Sequence, residues 1–377
     1  MVSSTFQKLW EKQNPELPED ARFLVYRICN GDHGVGSEMH MMVQAFSLAL
    51  HTKRVFIIEG DWQFSGSDYF YWFEPITGIQ PDFLDGKDFV SLSPGALNEA
   101  RFIRIEGGFD ANQLKQDYSS PIEEFKQFSA VLWLSHLLCF LMRPNEYLRN
   151  LLESEKRRLG LPEKYIGAQI RHSTTWVYNR RNIPLYEFMD CVKFFAKKTK
   201  IQDVFVSTEN QRVIDRLKNY SNFSFFYTDN HRSNLNQARA IMAGQLCGEE
   251  EGRIAMLNLF LMKDASALVA GFRSNWGRLV LEHMLVKESP PRNIVGLDTP
   301  LASPLIKTAR VSEVQQMTYF HEFFISSLPE FRSVRIMFPL KRVLFDAVPT
   351  LKLLVTSLKK SGFTRAVKRF VRKFIPK

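Results

Sequence analysis

The 377-residue chain has four cysteines, and Cys29, Cys139, Cys191 and Cys247 are far apart, with no C-x-x-C pair and no histidine at metal-ligand spacing. That excludes a disulfide-stapled scaffold or a zinc module and leaves each cysteine as an expected small, buried hydrophobe. No apolar run reaches the ~18 residues a membrane helix needs. The longest candidate, VLWLSHLLCFLM (131–142), is interrupted by Ser135 and His136 and reads as a buried helix. The first twenty residues are polar and offer neither a signal h-region nor an anchor, so a cytoplasmic location is expected and the sequons at Asn219 and Asn222 count as chance. Several catalytic signatures are missing too: no GxxxxGK[ST], no HExxH, no GxSxG and no kinase set. Nor is there a D-x-D, which argues against a metal-bridged nucleotide-sugar site built on two carboxylates.

The body also lacks positive charge. Of 50 Lys+Arg and 40 Asp+Glu, residues 331–377 hold 13 basic residues and one acid, Asp346, leaving 37 basic and 39 acidic residues in 1–330. The net charge of +10 is therefore a property of the C-terminal segment. A basic groove for nucleic acid through the fold is not what this composition describes. What remains, 45% hydrophobic and 24% charged, is ordinary for a globular protein, and the length suits two packed domains.

Along the chain, buried strands alternate with helices. RFLVYRIC (22–29), a Gly-rich turn, a helix over 38–50 and RVFIIEG (54–60) form a βαβ unit, hence a parallel sheet. The stretch 61–125 reads as loop-rich, and 121–159 as a helix pair with Pro144 in the first turn of its second member. The alternation then restarts. Strands are expected at 165–171, 203–208, 223–228, 266–272 and 293–297, with helices at 184–199, 210–219, 249–263 and 275–285. The expected fold is α/β, with two Rossmann-like domains (1–160 and 161–310) facing a cleft in the GT-B manner, and a helical extension at 311–377.

Four segments sit just after expected strands, where open α/β sheets bind ligands. NGDHGVGSEMH (30–40) places Gly34 and Gly36 where backbone N–H groups could approach a phosphate, though a plain turn explains them equally. In QIRHSTTW (169–176), Arg171 could grip a pyrophosphate or form a structural salt bridge. VSTEN (206–210) offers Thr208 and Glu209, or merely a helix cap, and GFRSNWGR (271–278) offers Ser274 and Asn275, or again a cap.

Taken together and in order, GVGSEMHMMVQAFSLALHTKRVFIIEGDWQFSGSDYFYWFEPI (34–76), LWLSHLLCFLMRPNEYLRNLL (132–152), IGAQIRHSTTWVYNRRNIPLYEFM (166–189), VFVSTENQRVIDRLKNYSNFSFFYTDN (204–230) and SALVAGFRSNWGRLVLEHM (266–284) resemble the fucosyltransferase superfamily of the core α-1,6 and rhizobial nodulation enzymes. The resemblance covers about 22–300. It implies a metal-independent, inverting transferase with GDP-fucose as donor substrate, no cofactor and a saccharide or glycolipid acceptor. By the same resemblance Arg171 holds the donor pyrophosphate, and His172 follows it as in the nodulation enzyme. Glu209 stands at the family's strand-end carboxylate, Ser274 and Asn275 open the last helix, and Asn258 stands where the core enzyme has a guanine-binding Asp. This chain departs from the pattern elsewhere. The family's proposed base falls at Asn179, its Asp-Lys pair at Thr174 and Thr175, and its His before the Arg at Gln169. The substitutes for a base are His172, Glu209, Glu59 and Asp61. A different nucleotide-sugar donor, or a non-catalytic scaffold that has lost the base, are the competing readings.

The segment 333–377 lies outside the resemblance. Phe363, Val367, Phe370, Val371, Phe374 and Ile375 share one helical face, while Arg365, Lys368, Arg369, Arg372 and Lys373 take the other. This is the pattern of an interfacial helix on an anionic membrane, here the cytosolic face, or of a packed or frayed terminal helix that merely carries lysines.

Overall fold

A computed structural model describes residues 2–28, 30–107, 118–128, 130–171, 183–232, 237–272, 274–287 and 293–297. All of them lie in one compact unit, Met1–Thr299. The expected tail at 333–377 lies outside the described residues.

The first sheet has the order β2-β1-β4-β3 and is wholly parallel, formed by β1 (Arg22–Arg27), β2 (Arg54–Glu59), β3 (Val90–Ser91) and β4 (Phe102–Glu106). Phe23, Leu24, Val25 and Tyr26 are fully buried, as a central strand covered on both faces requires. Its helices are α1 (Val2–Gln13) and α2 (Val35–His51), then the short α3 (Pro94–Glu99), with α4 (Ala130–Leu141) and α5 (Glu146–Leu159) following. Helix α2 opens three residues before the expected start, with Gly34 as its N-cap. The strands β3 and β4 fall in the stretch read as loop-rich. FIRIE is short and carries an internal Arg, so its pattern does not separate from the polar loop around it. Pro144 is a second correction: it precedes the N-cap, and the side chain of Asn145 accepts from the Leu148 N–H at 3.0 Å to start α5.

Helix α1 closes an edge of this sheet. The Oε1 of Gln13 accepts from the Phe56 N–H of edge strand β2 at 2.7 Å, and its carbonyl accepts from the Thr77 hydroxyl at 2.7 Å. Two residues earlier, at the start of β2, buried Arg54 donates to the carbonyls of Phe23, Arg101, Leu97 and Ala100 at 2.7–3.2 Å. Burial lowers this guanidinium to about 10. Carbonyls thus take the place of a counterion.

The second sheet, also parallel, has the order β7-β6-β5-β8-β9. Its strands are β5 (Ile166–Gln169), β6 (Asp203–Ser207), β7 (Ser224–Phe226), β8 (Ala267–Ala270) and β9 (Asn293–Gly296). The helices between them are α6 (Leu185–Thr199), α7 (Gln211–Leu217), α8 (Gln237–Met242), α9 (Gly248–Lys263) and α10 (Asn275–Leu285). This is a doubly wound order whose direction switches between β5 and β8. The first sheet switches between β1 and β4. Helices α2, α4 and α10 pack on one another, joining the two sheets into one body.

Cys191 is buried and Cys139 half-buried, and desolvation pushes both thiols up to about 12. Cys247 is exposed at the N-cap of α9, against the expectation of a buried hydrophobe, because the cap precedes the helix's apolar face. Cys29 lies outside the described residues.

Two buried histidines set a pH limit on the fold. His136 of α4 stacks on Phe128 at 5.0 Å, and His283 of α10 uses Nδ1–H on the Leu279 carbonyl at 2.9 Å. Burial lowers both to about 4, so they are neutral in the fold while the unfolded chain titrates near 6.5. As pH falls through that window the unfolded state binds protons first, so stability present above about 6.5 is lost toward 4. Between pH 7 and pH 5 each histidine costs about 2 kcal/mol. Urea unfolding at both pH values should show this loss, and His136→Leu should remove one histidine's share of the slope. An unchanged slope would contradict the assignment.

Candidate functional site

The site is built where the two switch points meet. Chain leaving β1 makes the turn 30–34 and enters α2. Beyond β8, α10 opens from its N-cap Ser274. The first turns of these two helices touch. A Cβ on Gly36 would lie 3.0 Å from both the carbonyl carbon and the Cβ of Asn275 and 3.1 Å from the Trp276 nitrogen, so any larger residue would have to push the two turns apart by a few tenths of an ångström. The Asn275 Nδ2 donates to the Ser37 Oγ at 2.6 Å, fastening the contact. Two helix N-termini, each with unpaired N–H groups and a partial positive charge, therefore lie side by side.

Ser274 is the N-cap of α10, yet its side chain makes no cap bond. Its Oγ is enclosed without a partner, in a residue only 6% exposed. The neighbouring strand end supplies a second such atom, the Oε1 of buried Gln169. Gln169 lies close to Gly277, where a Cβ would sit 3.3 Å from that oxygen. Two residues on, Arg171 is exposed and makes no ion pair or hydrogen bond among the described residues. Arg171 thus lies at the mouth of β5, the strand beside the one whose chain leads into α10. The salt-bridge reading of Arg171 has no counterpart among those residues.

Gly34, Gly36, Ser274 and Asn275 are brought together, with Arg171 at the adjoining strand end. Thr208 and Glu209 follow β6, the neighbour of β5, and the Ile170 N–H bonds the Ser207 carbonyl at 2.9 Å. Thr208 Oγ1 accepts from the Asn210 N–H at 3.2 Å in a tight turn, and Glu209 is half-buried in it. Asn210 is the N-cap of α7, its side chain accepting from the Arg212 N–H at 2.9 Å. Asn258 lies inside α9, its Nδ2 committed to the Ile254 carbonyl at 2.8 Å and the Thr228 Oγ1 at 3.0 Å. His172, Thr174, Thr175 and Asn179 fall outside the described residues.

The remaining carboxylates differ in availability. Glu59, at the end of β2, is paired with Arg104 at 2.9 Å. Asp61, two residues on, is exposed and has no ion pair among the described residues, although its carbonyl accepts from Asn30 Nδ2 at 3.0 Å. Glu38 lies in the first turn of α2 and is 3% exposed; the Tyr26 hydroxyl donates to its Oε1 at 2.7 Å. Burial pushes this carboxyl above its ordinary range, with the tyrosine hydrogen bond pulling the other way.

The sequence reading missed three residues. Arg232 donates to the Thr208 carbonyl at 3.2 Å, the Asn230 carbonyl at 3.1 Å and the Thr228 carbonyl at 2.7 Å, fixing the ends of β6 and β7. Asn30 and Gln63 knot the turn after β1 to the loop after β2. Arg232 and Gln63 lie in no motif and Asn30 merely opens the segment 30–40; each serves backbone groups rather than a partner of recognisable type. Among the described residues, no group of three or more His, Cys, Asp or Glu side chains is placed to hold a metal ion. Nor is any helix among them long and apolar enough to cross a membrane.

The profile of alpha-(1,6)-fucosyltransferase N- and catalytic domains matches residues 1–289. The chain belongs to this family. An alpha-(1,6)-fucosyltransferase of Drosophila melanogaster is 21% identical over 232 residues, covering 56% of this chain and 36% of that protein. The chain thus spans about a third of the length of this relative of the fucosyltransferase family. Similar solved structures include the fucosyltransferase NodZ from Bradyrhizobium, 15% identical with a TM-score of 0.44 over 74% of this chain and 97% of that one. Another is an Arabidopsis thaliana FUT1 mutant in complex with GDP, 15% identical with a TM-score of 0.43 over 75% and 72%.

Proposed function

We propose that this fucosyltransferase-family chain transfers fucose from GDP-fucose to a hydroxyl of a saccharide or glycolipid, with inversion and without a metal. The observation that carries the reading is the contact of the α2 and α10 N-termini; Arg171, at the end of β5 in the same sheet, is exposed and has no partner among the described residues. A leaving diphosphate needs positive charge already in place, and two helix N-termini plus a guanidinium supply it. The acceptor oxygen attacks the sugar's anomeric carbon as the bond to the β-phosphate oxygen breaks. GDP departs with that electron pair, and a base on this chain takes the acceptor proton. Among the candidates Asp61 fits this base best, because Glu59 is spent on Arg104 and Asp61 is exposed beside the α2 turn with no ion pair among the described residues. In this reading residues 1–160 form the acceptor side and 161–310 the donor side, with Thr208 and Asn258 at the donor's nucleoside end.

A second reading, the same transfer with another nucleotide-sugar donor, is favoured by Asn258. Its Nδ2 is used internally. That leaves one neutral acceptor where guanine's two donors call for a carboxylate. A panel of GDP-fucose, GDP-mannose and UDP-sugars with mixed glycan acceptors decides between them. Turnover with GDP-fucose alone is expected. Turnover only with another donor would select the second reading, and binding without turnover on any pair would mean a scaffold that has lost catalysis.

The basic segment 333–377 is proposed to hold the chain on the cytosolic face of an anionic membrane. Five charges at about 1 kcal/mol each amount to about 5 kcal/mol, enough for reversible docking. Full-length protein should co-sediment with phosphatidylserine vesicles, and a 1–330 truncation should not. Equal sedimentation would refute docking by this segment.

A further inference from the structure

The turn 30–34 is held from one side by a single side chain. Gln63, in the loop after β2, donates from Nε2 to the Gly31 carbonyl at 3.1 Å and to the His33 carbonyl at 3.2 Å. Its own N–H donates to Asn30 Oδ1 at 2.8 Å. The amide orientation follows from its neighbours, because flipping it would set an acceptor against two carbonyl oxygens. Its Oε1 is enclosed without a partner, so the side chain is committed to donating.

Holding those two carbonyls has a geometric result. A trans peptide is planar, and its C=O and the following N–H point in opposite directions. Drawing the Gly31 and His33 oxygens toward Gln63 therefore turns the N–H groups of Asp32 and Gly34 away from it. Both residues are exposed, and neither N–H is taken by a backbone carbonyl among the described residues. Backbone N–H groups that converge in one turn can bind an anion, and these two, on either side of His33, lie immediately before the first turn of α2.

The position of Gln63 is fixed from behind. A Cβ on Gly248 would collide with the Gln63 carbonyl, and one on Gly252, a turn later in α9, with the Phe64 carbonyl. The glycine pair lets the loop's backbone lie directly against the helix that carries Asn258. One loop thus links the helix at the proposed nucleoside end to the turn at the proposed diphosphate end.

We propose that Gln63 is the positioning residue of the donor site: it orients the Asp32 and Gly34 peptides so that their N–H groups receive the donor's phosphate oxygens. This rests on the reading of the turn as the diphosphate site. The tests are GDP affinity by calorimetry and the 15N-amide shifts of Asp32 and Gly34 on titration with inorganic pyrophosphate. Both are run on wild type, Gln63→Glu and Gln63→Ala, with thermal midpoints alongside. The glutamate variant is nearly isosteric but faces two carbonyls with an acceptor. The expected result is pyrophosphate-dependent shifts of both amides in wild type and a loss of GDP affinity of about tenfold to a hundredfold in the variants, the range of a charged hydrogen bond or two. A merely structural glutamine would lower the thermal midpoint and leave GDP affinity unmoved, which would overturn the proposal. Gln63→Ala leaves a half-buried position without a new charge and keeps the test open if Gln63→Glu fails to fold. Wild type that binds GDP without shifting these amides sinks the inference alone. Wild type that binds no GDP sinks the donor-site reading and the inference with it.

Discussion

Asp61→Asn is expected to lower kcat by about 10²- to 10⁴-fold, the usual worth of a general base, while leaving GDP affinity unchanged. The substitution keeps the side chain's size and leaves in place the Asp61 carbonyl that accepts from Asn30. An exposed carboxylate without an ion pair stabilises little, so folding should change by no more than about 0.5 kcal/mol. What is lost is the ability to take a proton. An amide cannot do so, and the acceptor hydroxyl must then reach the anomeric carbon still protonated. The loss should appear in kcat for every acceptor and show no recovery as pH rises. Glu209→Gln and His172→Asn run beside it give the contrast. If Asp61→Asn turns over normally and one of these does not, the base lies there, on the donor side of the fold.

Arg171→Ala is expected to weaken GDP and donor binding by about 1.5–3 kcal/mol, roughly ten- to a hundredfold, as for the loss of a charged hydrogen bond to a phosphate. The free state makes this variant informative. Arg171 is exposed and has no described partner, so its removal orphans no buried acceptor and opens no cavity among the described residues. The thermal midpoint should therefore hold while affinity falls. Arg232→Ala should behave in the opposite way. Its guanidinium is bonded to three backbone carbonyls, so truncation strips the ends of β6 and β7 of their fastening. Equal GDP affinity in wild type and Arg171→Ala, measured by calorimetry, would remove Arg171 from the donor site.

The sequence and the fold agree where burial is two-sided. β1, β2, β5, β6 and β8 are continuous apolar runs, because a parallel sheet covered by helices on both faces asks for nothing else, and their helices carry 3.6-residue periodicity. β4 was not legible, since FIRIE mixes charge into a strand of five residues and its pairing with β1 comes from distant chain. Helix α1 was invisible for a related reason. Its segment reads as polar, and fully buried Thr5 and Gln13 anchor it beside Leu9. In the candidate site, the glycines, Arg171, Ser274 and Asn275 were legible because they follow strand ends and match a known order. Gln63, Asn30 and Arg232 were not. Each serves backbone carbonyls or N–H groups, and any residue type offers those, so no local pattern marks the partner.

Helix α1 also bears on how this protein meets other chains. A parallel sheet ends in two rows of unused backbone groups, and these are the places where a foreign strand adds itself. On the β2 side the Phe56 N–H is already answered by Gln13. On the other side stands β3, two residues long. Among the described residues the first border thus has one of its groups already taken, and the second is too short to pair with more than a fragment of ladder. Assembly along the β3 border must then be made of side chains meeting side chains, which a few surface substitutions can dissolve without touching the strands beneath.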